Sequence, residues 1–194
     1  MIKFLGSNKI KTAVFISGTG SNLKSLIKFS FLKKSPIKIV LVISSNPKAN
    51  GLNFSRKYRI KSKVYKFKDT IKDEIVILNY LKKNNINLIC LAGFMKILSI
   101  NFIKKFNGKI LNIHPSLLPK YKGLKTHERA IKNNDKFSGC TVHFVNSKLD
   151  SGKIILKKRV KIAKNDDPKT LAKKILAQEH ILYPKAILKI FTNL

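Results

Sequence analysis

Tryptophan is absent from this sequence, and cysteine and acidic residues are scarce. The two cysteines, Cys90 and Cys140, lie in apolar or strand-like stretches without a metal-ligand or redox spacing, so we expect buried free thiols. No apolar run approaches the ~18 residues that a membrane span needs. The first ten residues hold one apolar pair, Phe4-Leu5, which is too short for a signal-peptide core. These absences predict a cytoplasmic protein without a membrane partner.

The shortage of acidic residues leaves a formal net charge of +32, from 41 basic and nine acidic residues. Such a charge could serve nucleic-acid or anionic-membrane binding. However, only four of the basic residues are arginines, and the lysines are scattered without interleaved aromatic residues. Lysine, asparagine, isoleucine and phenylalanine share A/T-rich codons, so mutational bias alone would produce this composition. We therefore predict no specific nucleic-acid partner, and electrostatic attraction of anionic substrates remains an alternative role.

The first half of the chain alternates short β-branched segments with amphipathic stretches of helix length. This alternation predicts βαβ units around a parallel sheet in a single domain, residues 1–194. In the third amphipathic stretch, Ile71, Ile75, Leu78 and Leu81 recur at helical spacing. The predicted strands are Thr12 to Ser17, Ile37 to Ile43, Ser62 to Phe67 and Asn87 to Ala92, and the predicted helices are Asn22 to Lys33, Gly51 to Tyr58 and Thr70 to Asn84.

The pattern changes in the second half. Cys140 to Val145 and Lys153 to Ile162 predict a pair of longer strands joined across a turn, and a final helix is expected from Asp167 to Phe191. Pro184 should kink or interrupt that helix. The predicted fold is α/β: a Rossmann-like, open, mostly parallel sheet with helices on both faces and a mixed-direction edge. In such sheets ligands bind at the carboxyl ends of the strands.

A glycine-containing loop, Gly18-Thr19-Gly20-Ser21-Asn22, follows the first strand and opens a helix. Glycines permit a tight turn and close approach to a ligand, and a helix N-terminus presents free N–H groups to an anion. The loop lacks the third glycine of the dinucleotide fingerprint and the lysine of a Walker loop. It therefore favours a single phosphate, with an ordinary strand-to-helix turn as the alternative.

The segment Asn112-Ile113-His114-Pro115 follows strand-like residues from Gly108 to Leu111. Asn112 and His114 are two residues apart, so at the end of a strand their side chains share one face. An amide beside an imidazole could stabilise an oxyanion, and the imidazole could carry protons near neutral pH. A structural histidine is the alternative.

Asp150 is one of nine acidic residues. If it lies near His114, its carboxylate would favour the protonated imidazole and fix the ring orientation. An Asx turn that ends at Gly152 explains the same residue equally well.

Taken together, ISGTGSNL, LAGFMKILS, LNIHPSLLPKYKGLKTH, CTVHFV, LDSGKII and AQEHILYP, in this order, closely resemble the phosphoribosylglycinamide formyltransferase family. The resemblance runs from about Lys11 to Phe191. It implies transfer of a formyl group from 10-formyltetrahydrofolate to the amine of glycinamide ribonucleotide, without a metal. The implied partners are small molecules, and the implied assembly is a monomer or weak homodimer.

The resemblance also implies residue roles. The catalytic trio would be Asn112, His114 and Asp150, with protonated His114 and Asn112 holding the oxyanion. The substrate phosphate would lie on the backbone of Gly20, Ser21 and Asn22, and the ribose on Glu179, with Leu176, Ala177 and Gln178 on the same turn. The folate would be bound by Met95, Lys96, Ile97, Leu98 and Asn112, and by a second loop of Asn146, Ser147, Lys148, Leu149 and Asp150.

Two departures from the family pattern stand out. Phe67 to Glu74 contains lysines where the family can place an arginine near the folate glutamate tail, and Lys72 would be a point charge without the bidentate fork. Lys96 follows Met95 where other members can have arginine.

Two related activities are the main alternatives. A methionyl-tRNA formyltransferase would use the basic surface to bind RNA, but its family carries an extra C-terminal domain for which we expect no room. A formyltetrahydrofolate deformylase usually has an added N-terminal domain, which we also do not expect. A nucleic-acid-binding protein without catalysis is disfavoured by the intact trio.

Overall fold

The computed structural model describes residues 9–191. Seven strands form one sheet: β1 (Ile10–Ile16), β2 (Ile37–Ser44), β3 (Lys61–Val64), β4 (Leu88–Leu91), β5 (Lys109–His114), β6 (Phe137–Phe144) and β7 (Ile154–Lys161). Six helices accompany them: α1 (Ser21–Phe31), α2 (Gly51–Lys57), α3 (Thr70–Lys83), α4 (Ile100–Lys105), α5 (Thr126–Lys132) and α6 (Pro168–Phe191).

The strand order is β3-β2-β1-β4-β5-β6-β7. The first five strands in this order pair in parallel, whereas β6 pairs antiparallel with both β5 and β7. The fold is therefore the predicted mostly parallel α/β sheet with a mixed-direction edge. The chain order reverses between β1 and β4, and a crevice for a ligand is expected at the carboxyl ends of these strands.

The central strands are buried on both faces, which explains why they appear in the sequence as unbroken apolar runs. In β1, Val14 and Ile16 pack into the core beneath α1 and α6, while Ala13 and Phe15 pack into a second core beneath α3 and α4. Both cysteines are buried and unpaired, as predicted, and burial raises the pKa of each thiol to about 12.

Helix α3 forms where the sequence predicted it, over Thr70–Lys83, and the structure adds which of its residues are buried. The buried residues of α3 are Glu74, Ile77 and Leu81, whereas Ile71 and Ile75 are 71% and 51% exposed. The helix is rotated relative to its apolar pattern because Glu74 faces inward and accepts hydrogen bonds from the N–H and hydroxyl of Ser99.

Pro184 does not interrupt α6, which continues through it. Proline lacks the N–H that would bond to the carbonyl four residues earlier, that of His180. The hydroxyl of Ser25 on α1 donates to this carbonyl at 2.8 Å and replaces the missing partner. No helix within residues 9–191 is both long and apolar enough to cross a membrane.

Candidate active site

A cavity of about 740 Å³ lies where the carboxyl ends of β1, β4 and β5 meet. It is the crevice expected at the reversal of strand order. Ala177 and Gln178 do not line the cavity, because they lie on other sides of α6 from Glu179. The predicted site residues that do line it are Gly20, Ser21, Asn22, Met95, Lys96, Ile97, Leu98, Asn112, His114, Asn146, Ser147, Lys148, Leu149, Asp150, Leu176 and Glu179.

One end of the cavity is the N-terminus of α1. Gly20 precedes this helix with φ 75°, and no side chain caps the first turn. A Cβ at Gly20 would lie 2.4 Å from the Cα of Gly51, so both the backbone conformation and the close approach require glycine. The first turn also contains no acidic residue. It therefore offers backbone N–H groups and a partial positive charge to an anion.

Glu179 lies beside this helix terminus. Its Oε2 accepts a hydrogen bond from Nδ2 of Asn22 at 2.6 Å, and its side chain is 6% exposed. Burial raises the pKa of Glu179, and the hydrogen bond from Asn22 opposes that shift. Oδ1 of Asn22 is buried without a hydrogen-bond partner among residues 9–191. Glu179 and Asn22 thus place acceptor oxygens next to the anion-binding turn.

The cavity is also lined by Asn112, His114 and Asp150, the three residues predicted as a catalytic trio. Asn112 and His114 both lie on β5, and Nδ2 of Asn112 is 3.4 Å from Oδ1 of Asp150. Asp150 has φ 46°, and its Oδ2 accepts a hydrogen bond from the N–H of Gly123 at 2.8 Å. The structure therefore brings the three side chains together.

His114 makes two contacts within the protein. Its Nε2 lies 2.8 Å from the carbonyl oxygen of Tyr121, and its Nδ1 lies 3.3 Å from Oδ2 of Asp150. Burial lowers the pKa of His114, while the Tyr121 carbonyl and the Asp150 carboxylate oppose that shift. Asp150 therefore favours the protonated imidazole, as expected, but burial has the larger effect and the net shift of the His114 pKa is downward.

The pKa of Asp150 is lowered, which favours its charged form. Burial alone would raise the pKa of Asp150, but hydrogen bonds from His143 and Gly123 and the charge of His114 hold it below its usual range. A carboxylate in this position stays ionised at neutral pH. It can therefore stabilise positive charge that develops on the imidazole during a reaction.

The sequence analysis did not include His143, which is the fourth polar side chain of this cluster. His143 is 2% exposed and pairs with Asn112 across β5 and β6. Its Nε2 lies 3.3 Å from Nδ2 of Asn112 and 3.6 Å from Oδ1 of Asp150. Alternation along β6 was the available signal, because Cys140, Val142 and Phe144 pack into the core and so leave His143 on the opposite face.

Two loops, residues 95–98 and 146–149, also line the cavity. Met95, Ile97 and Leu149 are apolar yet 68%, 73% and 54% exposed, which suits contact with a flat ring. The N–H of Met95 already donates to the hydroxyl of Ser17 at 2.8 Å. In this conformation that N–H does not contribute to the predicted backbone contact with the folate ring.

Comparisons with known proteins match nearly the whole described chain. The formyl transferase family matches residues 10–187. The chain is 42% identical over 186 residues to the phosphoribosylglycinamide formyltransferase of Haemophilus influenzae, covering 94% of this chain and 87% of that protein. The solved phosphoribosylglycinamide formyltransferase of Brucella melitensis is 41% identical, with a TM-score of 0.89, and 94% of this chain and 96% of that one are covered.

Longer relatives match as well. The human trifunctional purine biosynthetic protein adenosine-3 is 41% identical over 182 residues, which cover 92% of this chain. The chain spans 18% of that protein and 14% of its relative in Chironomus tentans. The match over nearly all of the sheet and its helices is sufficient for assignment, and the chain belongs to the formyl transferase family of enzymes.

Proposed function

We propose that this chain transfers the formyl group of 10-formyltetrahydrofolate to the amine of glycinamide ribonucleotide, with no metal. One observation carries the proposal: a single cavity is lined by the free N-terminus of α1, by two loops with exposed apolar side chains, and by Asn112, His114 and Asp150. The ribonucleotide phosphate binds at α1 and its ribose at Glu179. The folate ring binds between residues 95–98 and 146–149.

The reaction follows from the position of the trio. The amine attacks the formyl carbon, a new C–N bond forms, and the carbonyl oxygen becomes an oxyanion. Asn112 turns its amide from Asp150 to donate to that oxygen; its present 3.4 Å contact is long and is lost at little cost. The bond to the folate nitrogen then breaks. The amine loses one proton and the folate nitrogen gains one. Nδ1 of His114 relays the proton between them, and Asp150 stabilises the imidazolium that forms transiently.

Most of the rate arises from bringing the two reactants together. Holding them in reactive geometry lowers the barrier by about 7–11 kcal/mol relative to free solution. A single oxyanion donor such as Asn112 contributes about 3 kcal/mol. The formal charge of +32 assists both substrates, because a phosphate and a folate carboxylate are anions.

The experiment measures formyl transfer by absorbance with 10-formyl-5,8-dideazafolate as the donor. We expect release of the deformylated product only when glycinamide ribonucleotide is present. Product release at the same rate without the ribonucleotide would indicate a hydrolase and would contradict the proposal. The Asn112→Ala variant, measured under the same conditions, controls for transfer by contaminating enzymes.

A further inference from the structure

Tyr121 is connected to the active site through its backbone. Its carbonyl oxygen lies 2.8 Å from Nε2 of His114, and it is also 3.3 Å from the hydroxyl of Ser116. A carbonyl oxygen can only accept a hydrogen bond, so Nε2 of His114 must carry a hydrogen. The proton that His114 gains or loses is therefore on Nδ1, which lies 3.3 Å from Asp150.

The side chain of Tyr121 is held on every side, although it lies outside the cavity. Its hydroxyl donates to Oδ2 of Asp135 at 2.8 Å and accepts from Nδ2 of Asn133 at 2.8 Å. The other carboxylate oxygen of Asp135 accepts from Nζ of Lys120 at 2.6 Å. The guanidinium of Arg129 lies 4.9 Å from the centre of the Tyr121 ring. These contacts leave Tyr121 only 9% exposed.

The backbone of Tyr121 needs such support. Its φ is 56°, in the left-handed region that a residue with a bulky side chain rarely adopts. A strained backbone conformation persists only where the surroundings hold it, and such positions cluster at functional sites. The contacts of the ring and hydroxyl hold this conformation, and the conformation aims the carbonyl at His114.

We infer that Tyr121 and Asp135, which we name the clamp, are positioning residues that fix the tautomer and orientation of His114 from outside the cavity. This inference rests on the proposed role of His114 in formyl transfer. The tautomer matters for that role, because Nδ1 is the atom that relays the proton. If the carbonyl moved away, the hydrogen could occupy either nitrogen, and part of the protein would hold the ring in an unproductive form.

Other charged groups face His114 and must be separated from the clamp. Asp150 raises the pKa of His114, whereas His143 and Arg129 lower it, and His127 interacts with it electrostatically. Tyr121→Phe removes a neutral hydroxyl and changes none of these charges directly. Asp135→Asn removes a charge that is paired with Lys120. An effect shared by both variants therefore reports the clamp rather than a change in local charge.

The test compares Tyr121→Phe and Asp135→Asn with a matched control, Asp166→Asn. Asp166 also pairs with a lysine, Lys174, at 2.7 Å, and its side chain is 4% exposed against 13% for Asp135. Asp166 does not line the cavity. The measurements are kcat and KM for both substrates, and ¹⁵N NMR of histidine-labelled protein, in which a His114→Gln variant assigns the His114 signals.

We expect kcat to fall about tenfold in each clamp variant, with both KM values within about twofold of wild type, because misalignment affects the reacting geometry more than binding. The His114 shifts should move from the Nε2–H form towards a mixture, and Asp166→Asn should change neither property. An unchanged tautomer in folded clamp variants would overturn the inference, as would an equal loss in the control. The NMR measurement needs no turnover, so it tests the inference separately from the proposed function. If the tautomer changes in the clamp variants but the wild type shows no ribonucleotide-dependent activity, the proposed function is refuted and the inference about the clamp stands. If Tyr121→Phe does not fold, the kcat and the His114 tautomer of Asp135→Asn decide whether the inference stands.

Discussion

Asn112 is the residue that the proposed chemistry uses most directly, since in the proposed mechanism its amide donates to the oxyanion. It is half-buried and its contacts with Asp150 and His143 are long, at 3.4 and 3.3 Å. Removal of this side chain should therefore cost activity rather than stability. We expect Asn112→Ala to lower kcat about 100-fold or more with a melting temperature close to that of wild type. Near-normal turnover in the folded variant would remove Asn112 from the mechanism.

His114 and Asp150 give a prediction for pH. Burial lowers the pKa of His114 below its usual 6.5, and Asp150 opposes that shift. Replacing the carboxylate by an amide removes a raising influence, so Asp150→Asn should lower the pKa of His114 further. NMR titration of the labelled histidine measures this directly in wild type and variant. The account fails here if His114 in the wild type titrates above 6.5, or if Asp150→Asn leaves the value unchanged or raises it.

The same pKa shift affects stability. The His114 pKa is lowered in the folded state, so the unfolded state binds more protons below about pH 6.5. The wild type is therefore expected to lose stability as pH falls through this range. Asp150 acts in the same direction at lower pH, because its carboxylate stabilises the fold above its usual pKa and ceases to do so once it is protonated.

At the scale of helices and strands, the sequence predicted those elements whose position depends on the local pattern of apolar residues. β1 and β2 are rich in apolar residues because both of their faces are buried over most of their length, and they lie where predicted to within two residues. Periodicity alone did not show which residues of α3 are buried, nor that α6 continues through Pro184. The orientation of α3 depends on Glu74 accepting from Ser99, and the continuity of α6 depends on Ser25. Neither partner can be identified from periodicity.

The Ser25 contact offers a test of how α6 tolerates a proline. Ser25→Ala should lower the free energy of unfolding by about 1 kcal/mol, because the His180 carbonyl released by Pro184 loses its partner. In a Pro184→Ala background the helix supplies an N–H for that carbonyl, so the same Ser25→Ala change should cost less. Urea unfolding of the four proteins gives the coupling energy. Equal costs in the two backgrounds would show that the hydroxyl does not replace the missing helical bond.

Glu74 holds the end of the loop formed by residues 95–98, which we propose binds the folate. It accepts from both the N–H and the hydroxyl of Ser99, which directly follows Met95 to Leu98. Glu74→Gln keeps one acceptor oxygen and loses the other, so the loop should become less well fixed. We expect the KM for the folate to rise roughly fivefold, in line with ~1 kcal/mol for one hydrogen bond, while the KM for the ribonucleotide stays unchanged.

Asp69→Asn provides a control on the same helix. Asp69 caps the start of α3 by accepting from the N–H of Lys72, and it does not line the cavity. Its substitution should leave both KM values unchanged. If Glu74→Gln and Asp69→Asn raise the folate KM equally, the effect comes from helix stability rather than from the contact with Ser99.

At the scale of the whole molecule, the site depends on contacts between distant parts of the chain. Asn22 and Glu179 are 157 residues apart in sequence, and Asn112 and Asp150 are 38 residues apart. No local pattern brings such residues together, and the sequence analysis placed them in one site only through family resemblance. The family resemblance also implied that Ala177 and Gln178 belong to the site, but the fold leaves both residues outside the cavity. The alternation of β6 could have placed His143 on this face, whereas the clamp became visible only from the contact between the Tyr121 carbonyl and His114.

The two main functional hypotheses differ most in the role that they give to the formal charge of +32. In one the lysines form a general electrostatic surface, and in the other they bind RNA. If the lysines act only as a general electrostatic surface, RNA should bind weakly and lose affinity steeply between low and physiological salt, through counterion release. The ribonucleotide should be affected far less, because in the proposed complex it is held at the N-terminus of α1 and by Glu179.

The most direct test is therefore a competition between acceptors for the formyl group. The measurement is kcat/KM for glycinamide ribonucleotide and for methionyl-tRNA, with the same formyl donor, at physiological salt. The account predicts that the ribonucleotide is preferred by at least about 100-fold, a difference of ~3 kcal/mol in transition-state binding. Preference for methionyl-tRNA would contradict it and would make the basic surface, rather than the cavity end at α1, the acceptor site.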